Sequence, residues 1–162
     1  DNANPAHWGF IQGAIEPAQD SQRETGVPAS VTIAQAIHES AWGGSRLTRE
    51  GNNYFGIKAT SGPGPRGVIN ARTWEHLDGE NVTVTDAFRA YNNMAESFID
   101  HGRFLLENKR YAAAMAKIDD ARAFIRLVAQ AGYATDPNYV RKVLAYMDRY
   151  NLYQYDLDRS AD

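Results

Sequence analysis

The chain has 162 residues, 17 Lys and Arg against 20 Asp and Glu for a formal net charge of −3, 43% apolar and 23% charged residues, and no Cys. That profile describes one soluble globular domain, long enough to bury a core that needs no disulfide or metal to hold it. Thiol catalysis, thiolate-bound metal and iron–sulfur clusters are excluded by the missing Cys, the scattered basic residues argue against a nucleic-acid binder, and no apolar run approaches the roughly 20 residues of a membrane span.

The start, Asp1-Asn2-Ala3-Asn4-Pro5, has no initiator Met and neither the charged start nor the apolar run of a signal peptide, so the chain reads as a processed or excised domain. Residues 4–47 follow helical periods: a short segment at 7–14, a second opened by Pro17 and stopped at Gly26, and a third over 28–42. Pro is accommodated in a helix's first turn and breaks its interior, so Pro17 and Pro28 are read as starts. Between Gly43 and Tyr91, loop chemistry such as Trp42-Gly43-Gly44 and Ser61-Gly62-Pro63-Gly64-Pro65 disfavours helix. Two runs rich in β-branched and aromatic residues, 67–76 and 81–90, flank Leu77-Asp78-Gly79-Glu80, and Asp-Gly is a favoured hairpin turn pair.

From Asn92 to Tyr155 the helical pattern returns. Asn93 and Glu96 form a capping-box pair, Asp120 precedes a periodic run that ends at Gly132, and Asp136-Pro137 opens the last helix as an N-cap. The expected architecture is α+β and mostly α: a single domain over 1–162 with a core of about 5–155, and 60–91 as a loop and β-hairpin lobe.

Chemistry narrows to carboxylates. His7, His38, His76 and His101 sit at spacings that match no metal site and read as surface or satisfied core histidines. There is no phosphate-binding Gly-rich loop and no Gly-x-Ser-x-Gly elbow. On a helical wheel of residues 30–42, Ile33, Ala34, Ile37 and Ala41 share one side, while Thr32, Gln35 and Glu39 fall opposite. Glu39 is therefore either a solvated helix glutamate or something less ordinary. It lies near the negative end of a helix dipole, one turn from Trp42, where a partly covered carboxyl would hold its proton and could act as a general acid.

The segment Ala34-Gln35-Ala36-Ile37-His38-Glu39-Ser40-Ala41-Trp42-Gly43, followed by Asn52-Asn53-Tyr54-Phe55-Gly56-Ile57-Lys58, closely resembles glycoside hydrolase family 73. Those are bacterial peptidoglycan β-N-acetylglucosaminidases, among them cell-separation autolysins and the hydrolase domain of the flagellar rod-assembly protein. The resemblance continues through Phe88-Arg89-Ala90-Tyr91, Arg110-Tyr111 and Ala131-Gly132-Tyr133-Ala134-Thr135-Asp136-Pro137-Asn138-Tyr139, covering nearly the whole chain in order.

The resemblance implies a lysozyme-like fold with Glu39 at the general-acid position. It implies a hairpin lobe over the sugar cleft that carries a second acidic residue, Glu75 in Thr73-Trp74-Glu75, with Asp78 and Glu80 as competing choices in the turn. It also implies an active-site tyrosine, Tyr133. Trp42, Asn53, Tyr54, Phe55, Lys58 and Tyr139 are expected to bind substrate, although Phe55 and Ile57 read equally well as core. No metal or cofactor is expected. The implied partner is the peptidoglycan glycan strand, met by a monomer secreted to the bacterial cell wall or periplasm without membrane insertion. A wall-binding or flagellar module is expected elsewhere in the full-length protein.

Overall fold

The computed structural model describes residues 4–158, except for the side chains of Glu75 and His76. Its elements in chain order are α1 (Pro5–Thr25), α2 (Ala29–Ser40), α3 (Arg46–Gly51), β1 (Val68–Leu77), β2 (Glu80–Arg89), α4 (Met94–Glu107), α5 (Ala112–Met115), α6 (Ala121–Gln130) and α7 (Tyr139–Arg149). Short 3₁₀ turns at Lys109–Tyr111 and Leu152–Tyr155 precede α5 and follow α7. No described helix is long and apolar enough to cross a membrane.

The two expected N-terminal helices are one. Pro17 lies inside α1 instead of opening a second helix. Its missing N–H costs the carbonyl of Gly13 its partner, and Gly13 is exposed, so water can replace the lost bond. Gly26, at φ 88, ends α1 in the left-handed conformation, and its N–H bonds to the Gln22 carbonyl.

α2 is the central element, packed against α1, α7 and the turn at Leu152–Tyr155. Every residue from Ala29 to Ile37 is buried. The wheel's polar side is therefore enclosed too, with Thr32 and Gln35 fully buried, and α2 has no solvated face along that length. Its N-terminus starts at Pro28 without a side-chain cap of its own. Distant residues serve instead: Asp156 accepts from the N–H and Oγ of Ser30, both at 2.6 Å, and Gln22 Oε1 accepts from the Ala29 N–H at 3.2 Å.

α3 forms where glycine punctuation disfavoured helix. Ser45 caps it, accepting from the Thr48 N–H, and Arg46 pairs with Glu50 one turn on.

β1 and β2 form the expected antiparallel hairpin, with Leu77 opposite Glu80 and a two-residue turn at Asp78 (φ 50) and Gly79 (φ 81). Positive φ at both central positions is the I′ geometry that matches strand twist. The hairpin is fastened at its root. Asn53 Nδ2 donates to the carbonyls of Ile57 and Arg89, and Arg89 forks onto Asp100 of α4 at 2.8 and 3.1 Å.

Asn93 caps α4 and Asp120 caps α6 as expected, each accepting from the N–H three residues on. Glu96 reaches back to the N–H of Asn92, one residue before the cap. Asp136 is not the N-cap of α7. Its carboxylate closes the preceding turn on the Asn138 N–H at 2.8 Å and pairs with Lys142, while Asn138 takes the cap position without a side-chain bond. One apolar core joins α1, α2, α4, α6 and α7, with Ile11, Ile37, Phe98, Phe124 and Met147 all fully enclosed or nearly so.

Candidate active site

Glu39 is the penultimate residue of α2, and the chain turns sharply after it. Ala41 (φ 50) and Trp42 (φ 59) are both left-handed, a conformation non-glycine residues adopt at a cost. The turn is held by several contacts at once. Ser40 Oγ accepts from the Gly43 N–H at 2.8 Å, the Trp42 N–H bonds to the Ile37 carbonyl, and the Trp42 indole stacks on His7 at 3.7 Å and 3°. Phe10, Tyr146 and Tyr150 meet the indole edge-on. Trp42 thus anchors the turn, and it is not among the described residues that line the cleft next to Glu39.

Two phenols from the other end of the chain fix the Glu39 carboxyl. Tyr133 donates to Oε1 at 2.9 Å and Tyr139 to Oε2 at 3.2 Å. Tyr139 in turn accepts from Gln35 Nε2 at 2.7 Å, and Gln35 lies one helical turn before Glu39. Gly132, at φ 92, ends α6 and swings Tyr133 inward, while Tyr139 is the first residue of α7. Burial pushes the Glu39 carboxyl up from 4.5 to about 8, against the opposing pull of the two phenols. At neutral pH the group keeps its proton.

Glu39 opens onto a cleft of about 480 Å³ whose walls include Phe55, Ile57, Lys58, Arg110 and Tyr133. Glu39 is the one carboxylate lining it among the described residues. Phe55 is buried and stacks on the fully enclosed His101 at 3.9 Å. His101 is a core histidine whose ring nitrogens meet no hydrogen-bond partner from the described protein residues, and burial pushes its pKa down to about 3. It is a neutral, flat support beneath Phe55, with Tyr133 against its edge. Lys58 reaches Asp86 of β2 at 3.3 Å.

Two other expected residues have structural contacts of their own. Asn53 is 1% exposed and spends its amide on the hairpin root, and Tyr54 packs its ring on Phe10 and Phe98. Position 75 lies in β1 opposite Val82, and the Glu75 side chain is outside the described residues. His76, expected at the hairpin tip, lies in β1 opposite Asn81.

Gln35 and His101 were missed as site residues. Gln35 had a legible signal, since it precedes Glu39 by four positions on the same helix face; His101 had none, because its stacking partner is 46 positions away. No described group of three or more His, Asp or Glu side chains is arranged to hold a metal ion.

The glucosaminidase family model, described as mannosyl-glycoprotein endo-beta-N-acetylglucosaminidase, matches residues 15–152. The chain is 39% identical over 139 residues to the peptidoglycan hydrolase FlgJ of Vibrio parahaemolyticus, a match covering 83% of this chain and 44% of that protein. It is 33% identical over 151 residues to the exo-glucosaminidase LytG of Bacillus subtilis, covering 91% and 52%. The chain thus spans about half the length of these relatives or less. Among solved structures it is similar to the catalytic domain of the autolysin Auto from Listeria monocytogenes, with a TM-score of 0.83, 28% identity and coverage of 96% and 90%. It is also similar to a C-terminally truncated glycoside hydrolase domain of Salmonella typhimurium FlgJ, with a TM-score of 0.71, 36% identity and coverage of 88% and 96%. With a family match over residues 15–152, and relatives and solved structures similar to it over more than four-fifths of its length, the chain belongs to the glucosaminidase family, glycoside hydrolase family 73.

Proposed function

We propose that this chain is an endo-β-N-acetylglucosaminidase that hydrolyses the β-1,4 bond between N-acetylglucosamine and N-acetylmuramic acid in bacterial peptidoglycan, with Glu39 as general acid. One observation carries the reading: a carboxyl held protonated at neutral pH opens onto the cleft between two phenols. Cleaving a glycosidic bond requires protonating the leaving oxygen and stabilising an oxocarbenium-like centre. Glu39 supplies the proton. The phenols then stabilise the carboxylate left behind, because hydrogen bonds donated to the charged form favour it.

Two routes supply the second function. In the favoured one, the acetamido oxygen of the substrate attacks the anomeric carbon as Glu39 protonates the leaving oxygen, giving an oxazolinium ion. Water then opens the ring, and its proton returns to Glu39. That route needs no second carboxylate as nucleophile or base, because the acetamide at the cleavage point takes that part, and Glu75 assists from the hairpin lobe. Tyr133 orients the acetamido group in this scheme. In the alternative, Glu75 acts as base on water and the configuration inverts. NMR of early products separates them: retention supports assistance by the substrate, and inversion assigns the step to Glu75.

Glycan strands, a monomeric state and a location in the wall or periplasm belong to the same proposal, as does a further wall-binding or flagellar module in the full-length protein. The first experiment is mass spectrometry of borohydride-reduced digests. Reduced N-acetylglucosamine at the new ends is expected, in fragments of mixed length. Reduced N-acetylmuramic acid would make the chain a muramidase, a 1,6-anhydro product a lytic transglycosylase, release of terminal sugars alone an exo-enzyme, and no cleavage a wall-binding module. Glu39→Gln, which keeps the shape and removes the acid, lowers turnover about 10² to 10⁴-fold.

A further inference from the structure

Three cationic side chains line the cleft beside Glu39: Lys58, Arg89 and Arg110. Two face carboxylates. Lys58 reaches Asp86, and Arg89 is forked onto Asp100 with a further bond to Ser61. Arg110 has no such partner: among the described residues no carboxylate lies within ion-pairing distance of it. Its polar side-chain contacts are two approaches of Nη1, each 3.4 Å, to the carbonyls of Ala131 and Gly132.

The guanidinium is nevertheless placed. It lies 5.6 Å from the centroid of the Tyr111 ring, and a Cβ at Gly132 would meet its Nη1 at 3.4 Å. With Lys58 and Arg89 facing carboxylates, Arg110 is left, among the described lining residues, as a cation facing none. An exposed guanidinium backed by an aromatic ring and lacking a carboxylate is half of a fork-to-carboxylate pair.

Resting on the reading of the chain as a peptidoglycan glycosidase, we propose that Arg110 is a specificity residue that binds a carboxylate carried on the lactyl arm of the muramic acid beside the cleaved bond. In strands stripped of peptide this carboxylate is the lactyl group's own. In intact strands it belongs to the stem peptide. A neutral polymer of N-acetylglucosamine has no such group, so Arg110 favours the alternating polymer.

The test is calorimetric binding in the Glu39→Gln background, which reads affinity without cleavage. The probes are peptide-free strands, peptide-bearing strands, and both with their carboxylates converted to methylamides. Adding Arg110→Gln should weaken binding of carboxylate-bearing strands about tenfold, the size expected of one charge-assisted hydrogen-bonded pair near the surface. Amidation should weaken the Arg110 protein by a similar factor, and the two losses should not add. Arg110→Lys should restore part of the affinity, with a steeper loss in salt. A loss on peptide-free strands assigns the lactyl carboxylate, and one confined to peptide-bearing strands assigns the stem peptide.

Equal losses on native and amidated strands, or no loss on either, overturn the proposal and leave Arg110 as a cap on the end of α6. Wild-type hydrolysis of the same strands keeps the two readings apart. Cleavage with no Arg110 effect sinks only the carboxylate site, whereas neither cleavage nor binding sinks the glycosidase reading and this proposal with it.

Discussion

Replacing Glu39 by Gln should stabilise the protein, and the gain should depend on pH. In the folded chain Glu39 keeps its proton up to about pH 8, against an ordinary value of 4.5. The unfolded chain releases that proton near the ordinary value. Between these limits the folded state binds more protons than the unfolded state, so this group's contribution falls as pH rises. The interval from 4.5 to about 8, at about 1.4 kcal/mol per pH unit, amounts to about 5 kcal/mol of stability lost by pH 9. Partial accessibility of the carboxyl, and the readiness of both phenols to rotate around an amide, reduce the expected gain to about 2–3 kcal/mol. At about 2–4 °C per kcal/mol for a chain of this size, Glu39→Gln should melt roughly 5–10 °C above wild type at pH 9 and within a degree or two of it at pH 4.5. Differential scanning calorimetry of both proteins from pH 4.5 to 9 measures this. Parallel curves, with a gap independent of pH, would refute a Glu39 that is protonated at neutrality.

Tyr139→Phe removes one of the two donors to Glu39, so its pKa should rise further; the alkaline fall in kcat/KM should move above pH 8 and turnover drop about tenfold, as read from a pH–rate profile. An unmoved alkaline limb would mean that the phenol does not tune the acid. Arg89→Ala leaves Asp100 without its fork and frees the hairpin root from α4. Both side chains are about a quarter exposed or less, so the cost should be about 2 kcal/mol in urea titration, with faster hydrogen exchange at the end of β2. Gly102→Ala would place a methyl 2.5 Å from Ser21 Oγ and 2.7 Å from Thr25 Oγ1, forcing α1 and α4 apart at about 1–3 kcal/mol. An unchanged melting temperature there would show that the two helices have slack.

Local signals were legible where one stretch of chain contains all the physics. The Asp78-Gly79 turn, the caps at Asn93 and Asp120, and the stop at Gly132 each depend on residues within three or four positions. Pro17 misled because its cost depends on whether the orphaned carbonyl can meet water, and that is set by where α1 packs. Likewise, the polar side of α2 looked solvated because a wheel shows contrast within one helix and says nothing about how many neighbours surround it. Tyr139 of α7 meets that side at Gln35 and Glu39.

At the candidate site, the motifs carried the positions of Glu39, Tyr133 and Tyr139, and the composition carried the restriction to carboxylate chemistry. The sequence suggested a protonated Glu39, but for a different reason than the one the structure gives. The expected indole stacks on His7, and the environment that holds the proton is built by burial and by residues 94 and 100 positions later. The same holds for His101 beneath Phe55 and for Arg110 lying across Gly132.

By itself, then, the sequence determined the family, the order of helices and hairpin, and the absence of thiol chemistry, because these follow from residue identity and near-neighbour spacing. Tertiary structure alone decided that α2 is buried from Ala29 to Ile37, that Asp156 caps it from the far end of the chain, that Trp42 anchors a turn, and that burial and two phenols set the proton affinity of Glu39. Each of these depends on desolvation or on partners brought together across the chain, and burial is a property of the packed molecule that no single segment possesses.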